Sequence, residues 1–115
     1  MPKNKQATRT TIEPARAVQV AALMDYQRES IVSREILQGA SGKIVLFAFD
    51  EGEGLSEHTS PYNVMAQIVD GEAEITISGQ PHRVREGELI LMPAKQPHAL
   101  KAIKRFKMIL TMIRP

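Results

Sequence analysis

Cysteine is absent from this chain, and so is tryptophan. Without a thiol there is no disulfide, no thiolate nucleophile and no cysteine-ligated zinc or iron–sulfur site. Aromatic residues make up only 4% of the sequence, too few for the stacking platforms that single-stranded nucleic acid requires. Surplus charge is scarce too: 15 Lys and Arg against 13 Asp and Glu leave a formal +2. The cations are scattered among acids, so no basic stripe marks a nucleic-acid face. No apolar run approaches membrane-spanning length. The opening MPKNKQATRT carries charge, but no apolar stretch follows it as in a secretory signal. These absences lead to the expectation of a soluble cytoplasmic protein with neither nucleic acid nor membrane as partner.

An apolar fraction of 43% over 115 residues suffices for one compact domain with a core. A chain this short buries a modest share of its surface, which makes a homodimer the expected supplement. Residues 1–25 read as an arm. Its first part is polar and aperiodic, with Lys3, Lys5, Arg9 and Arg16 against Glu13. It is either a frayed terminus or an extension that clasps a partner. AVQVAALMDY then fits a short helix, through the spacing of Val18, Ala21, Ala22 and Asp25, or an extended segment.

Residues 30–114 are written in strands. SIVSREIL and KIVLFAFD flank a GASGK turn, and the second is a continuous apolar run suited to burial on both faces. NVMAQIV and the alternating EAEITIS are separated by Asp70-Gly71, a hairpin signal because the tight turn needs positive φ. QPHRVR, LILM, HALKAI and KRFKMILTMI follow, divided by Gly and Pro turns. About eight short strands and no long helix predict an all-β sandwich or small barrel. Closure into a barrel or jelly roll would remove exposed strand edges.

Two stretches match each other within this frame. GEGLSEHTSPYNVMAQIVDG places His58 after an acidic turn loosened by glycine, and REGELILMPAKQPHALKA places His98 after a proline-containing loop. Together they resemble the two motifs of the cupin family, over roughly residues 40–110. In the first, Gly52, His58, Pro61 and Gly71 hold family positions, while Ser60 stands at the second histidine and Val64 at the glutamate. In the second, Gly87, Pro93 and His98 fit, with Lys95 in place of a glycine and Ala102 in place of an asparagine. The resemblance implies a single-domain double-stranded β-helix, or jelly-roll barrel. It also implies a pocket lined by His58, Ser60, Tyr62, Val64 and His98.

In the full family pattern three histidines and a glutamate hold a divalent metal, whether iron, manganese, nickel, copper or zinc. Here the only candidate metal ligands are His58 and His98, since Ser60 is a feeble donor and Val64 is none. Positions 58, 60 and 64 share parity, so a regular strand would turn all three inward. Gln67 and Glu57 have the wrong parity, and His82 lies in a hairpin read as facing solvent. The acidic group around Asp50 and the cations from Lys101 to Lys107 read as solvated turns.

Three functions stay open at this stage, with catalytic residues unassigned. The first is a binder of a small molecule at His58 and His98, through a metal or directly, the imidazoles then meeting an anionic or carbonyl-bearing ligand or moving protons. The second is a metal-dependent dioxygenase, isomerase or decarboxylase of the cupin type. The third is a structural dimerisation module. KIVLFAF and LILM, apolar on both faces, point to a homodimer, and the N-terminal strand region is a candidate for addition to a partner's sheet.

Overall fold

The computed structural model describes residues 9–115. The calls made above for the first eight residues, including Lys3 and Lys5, lie outside the described residues. Among those described, nine strands form: β1 (Arg9–Thr10), β2 (Ile31–Gly39), β3 (Gly42–Phe49), β4 (Gly54–His58), β5 (Asn63–Ile77), β6 (Gln80–Arg85), β7 (Leu89–Met92), β8 (His98–Lys101) and β9 (Phe106–Ile113). The fold is all-β, as expected. AVQVAALMDY contributes a single 3₁₀ turn at Val20–Ala22.

All pairings are antiparallel. The first sheet runs β1-β2-β3-β9-β5-β7 and the second runs β4-β8-β5-β6. β5 belongs to both. Its first half pairs with β9 and β7, and its second half with β8 and β6. Alternate residues Val64, Ala66 and Ile68 bury inward from the first half. Ala73 and Ile75 do so from the second, against Val84 of β6 and Leu100 of β8. Phe49 and Phe106 close the core with stacked rings 4.5 Å apart.

The hairpin expected at Asp70-Gly71 does not form. β5 runs through these residues as one fifteen-residue strand. The register slips between Ile68 and Asp70, and Gly71 takes φ +77°. The bulge carries the strand around a corner from one sheet to the other. An Asp-Gly pair signals positive φ, and a corner uses that angle as readily as a turn does. A Cβ on Gly71 would lie 1.9 Å from the carbonyl oxygen of Arg105, so only glycine lets the chains pass. The glycine turns expected between the later strands form at Ser78-Gly79 and Glu86-Gly87, and both glycines have positive φ.

The N-terminal segment crosses the outer face of the first sheet. Lys107 Nζ donates to the carbonyl of Ala21 at 2.6 Å, and Arg34 donates to the carbonyls of Leu23 at 3.2 Å and Thr11 at 2.8 Å. Tyr26 Oη donates to Asp70 at 2.5 Å, beneath the Arg105 and Lys107 cations. Burial, then that hydrogen bond, keeps the phenol protonated well above its ordinary range. The outward parity of Leu46 and Ala48 places them under this segment, and both are fully buried. Arg9–Thr10 pairs with the chain's own Gln38 and Leu37. LILM departs from its expectation as a doubly buried run, because Leu89 and Leu91 are exposed.

Two glycines with similar angles separate backbone strain from steric contact. Gly52, at φ +87° with nothing near its added Cβ, should lose about 1–2 kcal/mol on Gly52→Ala, the cost of a left-handed alanine. Gly71→Ala adds a collision with backbone and should cost about 4 kcal/mol or more. Urea denaturation of the two variants measures the difference.

Candidate functional site

β4 and β8 pair with Leu55 opposite Leu100 and His58 opposite His98. From Leu55 to His58 is three steps, while the partner strand takes two, so β4 carries one extra residue. That bulge reverses the parity. Without it His58 would face away from Leu55; with it, both rings share the side of the sheet that faces the core. His98 shares that side with buried Leu100 and lies opposite Ile77 of β5. The ring centroids of His58 and His98 are 4.3 Å apart, packed edge to face at 67°.

Each ring is oriented by a carbonyl two residues earlier. His58 Nδ1 lies 2.8 Å from the oxygen of Ser56, and His98 Nδ1 lies 3.3 Å from that of Gln96. A carbonyl only accepts, so in each case Nδ1 carries the proton. In the neutral ring Nε2 is then a bare acceptor. His98 is 6% exposed and His58 is exposed, so the pair grades from core to solvent. Burial holds the His98 imidazole below its ordinary pKa; the Gln96 carbonyl opposes this and nearby His58 adds to it.

The loops bearing the two rings are tied to each other. Lys95, at φ +67°, donates its amide to the Ser60 carbonyl at 2.8 Å, and the Ala94 amide donates to Asn63 Oδ1 at 3.0 Å. On the other side the Ser78 amide donates to the Pro97 carbonyl at 2.8 Å, and the Ser78 hydroxyl donates to Gln96 Oε1 at 3.2 Å.

The other pocket candidates take separate places. β4 ends at His58, so the regular alternation that would turn Ser60 inward stops before it. The Ser60 hydroxyl accepts the Tyr62 amide at 3.1 Å and shapes the bend. Val64 is buried in the core, opposite Met92 and Met112. Tyr62 packs on the core's edge in a small pocket with Gln38, Gly39, Gly42, Lys43 and Arg114, whose guanidinium lies 6.0 Å from its ring centre. His82 is exposed on β6. The contributions of Ser56, Gln96 and Ser78 escape a search for chemical residue types, because the first two orient the rings through their carbonyls and Ser78 braces the loop.

Metal chemistry depends on the donor set. Among the described residues, no three or more His, Asp or Glu side chains gather where an ion could sit. Two imidazoles, a hydroxyl engaged by a backbone amide and a buried valine fall short of the three or four donors of a mononuclear centre. The residues present do not fit a resident divalent metal.

The neutral state of His98 links stability to pH. An imidazole whose folded pKa lies below its unfolded value stabilises the fold above the unfolded pKa, and this is lost as pH falls through the folded one. The urea midpoint should therefore drop as pH is lowered from about 7 through the ordinary imidazole range near 6.5. His98→Gln should flatten that part of the profile. An equally steep profile in the variant would assign the dependence to other groups.

A profile of the cupin domain family matches residues 45–114. A conserved protein of unknown function from Streptococcus pyogenes is 35% identical, with a TM-score of 0.89 over 97% of this chain and 98% of its own. A Cupin 2 conserved barrel domain protein from Leptotrichia buccalis is 32% identical, with a TM-score of 0.79; the match covers 82% of this chain and 46% of that longer one. A cupin superfamily protein from Desulfitobacterium hafniense is 27% identical, with a TM-score of 0.85 over 90% and 95% of the two chains. No protein of curated function matches by sequence. Among the described residues, no helix is long and apolar enough to cross a membrane. The matched profile, the two motifs and the two-sheet barrel with its paired histidines agree: the chain belongs to the cupin family.

Proposed function

We propose that the chain binds a small polar molecule at His58 and His98, and that the ligand is held by hydroxyl donors meeting the two Nε2 atoms. The observation that carries this reading is the orientation of both rings. With each Nδ1–H directed at a carbonyl, the pair offers two acceptors side by side at the edge of an apolar core. Such a pair suits a diol, a sugar or a phenol, and it repels an unprotonated carbonyl or carboxylate. This revises the anionic or carbonyl-bearing ligand considered from the residues alone.

The donor set also favours binding over a metal-dependent dioxygenase, isomerase or decarboxylase activity. Salicylate 1,2-dioxygenase from Pseudaminobacter salicylatoxidans shares the fold, with a TM-score of 0.67 at 11% identity. At that distance the likeness concerns architecture alone.

Nitrogen-15 spectra of the imidazoles test the reading, with catechol and D-ribose as probes. At pH 7.5 both rings should show protonated Nδ1 and bare Nε2, and a bound probe should shift both Nε2 resonances. His98→Leu should weaken the probe about five- to tenfold, the worth of one net hydrogen bond and its desolvated partner. Protonated Nε2 on both rings, or probe binding indifferent to His98→Leu, would overturn it.

A further inference from the structure

We infer that the ligand of the paired histidines is a hydroxy acid, its carboxylate held across the barrel mouth by Lys43 and Arg114. This rests on the hydroxyl-binding reading above and gives that ligand a second contact. Lys43, Tyr62 and Arg114 border a cavity of about 60 Å³, whose wall is completed by Gln38, Gly39 and Gly42. A volume of that order holds about two waters, or the two oxygens of one carboxylate. No acidic side chain belongs to the wall. Among the described residues, neither Lys43 nor Arg114 forms an ion pair. Glu35, the acid nearest them in register, lies opposite Val45 and is bonded to neither. The Arg114 amide donates to the Ser41 carbonyl at 2.9 Å, and its guanidinium lies 6.0 Å from the Tyr62 ring centre. Main chain and ring thus place this cation without neutralising it.

Register sets the cavity against the histidines. Gln38, Lys43, Met112, Val64 and Met92 form one row across β2, β3, β9, β5 and β7. Directly paired residues share a face, and the burial of Val64 and Met92 makes it the inward one. In the second sheet His58, His98 and Ile77 form an inward row across β4, β8 and β5. Both rows cross β5, with Val64 seven residues before the Gly71 corner and Ile77 six after it. They therefore stand at the same height, about 20 Å from the corner. Sideways, β3 and β4 are each the second strand out from β5. Lys43 and His58 thus face each other from opposite sheets, which stack about 10 Å apart. Their side chains extend into that gap and leave a space that one molecule of a few carbons spans.

The two sides ask for different groups. Bare Nε2 atoms accept from hydroxyls and repel a carboxylate. The ammonium and guanidinium only donate, and the guanidinium fork matches a carboxylate. A polyol with an acid at one end satisfies both sides at once. A neutral sugar would leave the cations unmatched.

Calorimetric titration with D-glucose and D-glucuronate tests the inference, because the two share a ring and differ in the terminal carboxylate. At pH 7.5 and about 20 mM salt, glucuronate should bind about tenfold or more tightly, the worth of hydrogen bonds to charged groups. Raising sodium chloride to about 0.5 M should shrink that advantage. Lys43→Gln and Arg114→Gln should each reduce the ratio of the two affinities about threefold or more. Arg114 is exposed, so its variant decides the question even where Lys43→Gln fails to fold. Equal affinity, no glucuronate binding at about 10 mM, or an advantage that survives both substitutions would overturn the hydroxy acid and leave hydroxyl binding at the histidines standing. Glucose binding indifferent to His98→Leu would overturn the hydroxyl reading itself, and the inference with it.

Discussion

Everything in this barrel depends on one strand that serves two sheets. β5 crosses from the first to the second at Gly71, where its backbone passes so close to the carbonyl of Arg105 that no side chain fits between them. The corner sets the angle between the sheets. With that angle fixed, Ile68 on one side and Ala73 and Ile75 on the other converge on the same core. β8 then pairs with the second half of β5, and the histidine at its start lies on the face of the sheet that looks inward. The site is a consequence of the corner rather than an addition to the fold.

The two histidines owe their meeting to a second irregularity. A regular β4 would set Leu55 and His58 on opposite faces; the extra residue between them puts both on one. Bulges beside functional sites re-aim a side chain without disturbing the sheet around it. Orientation is then completed by main-chain carbonyls, which accept a hydrogen bond whatever side chain their own residue carries. The direction of both rings is thus set by backbone geometry at Ser56 and Gln96 as much as by the histidines themselves.

This explains which parts could be read from residues alone. Strand alternation in EAEITIS and the continuous run KIVLFAFD revealed the all-β class, because burial on one or two faces leaves its period in the sequence. The spacing from Gly52 to His58 and from Gly87 to His98 revealed the family and the two rings. Asp70-Gly71 misled, since a glycine angle is common to turns and corners, and only the long-range pairing with β9 tells them apart. LILM misled in a similar way. An apolar run records that a face avoids water, not whether the chain's own core or another surface covers it. Ser60 and Tyr62 could not be placed by parity, because β4 ends at His58 and the bend that follows obeys no alternation.

The ties among Lys95, Ala94, Ser78 and the 60–63 bend carry a kinetic meaning. Both ring-bearing loops are fastened during folding, so the conformational entropy of ordering them is lost before any ligand arrives. On the proposed reading, a site already ordered in this way needs no lid to close over a ligand. Differences in affinity among ligands of the proposed kind would then lie mainly in residence time.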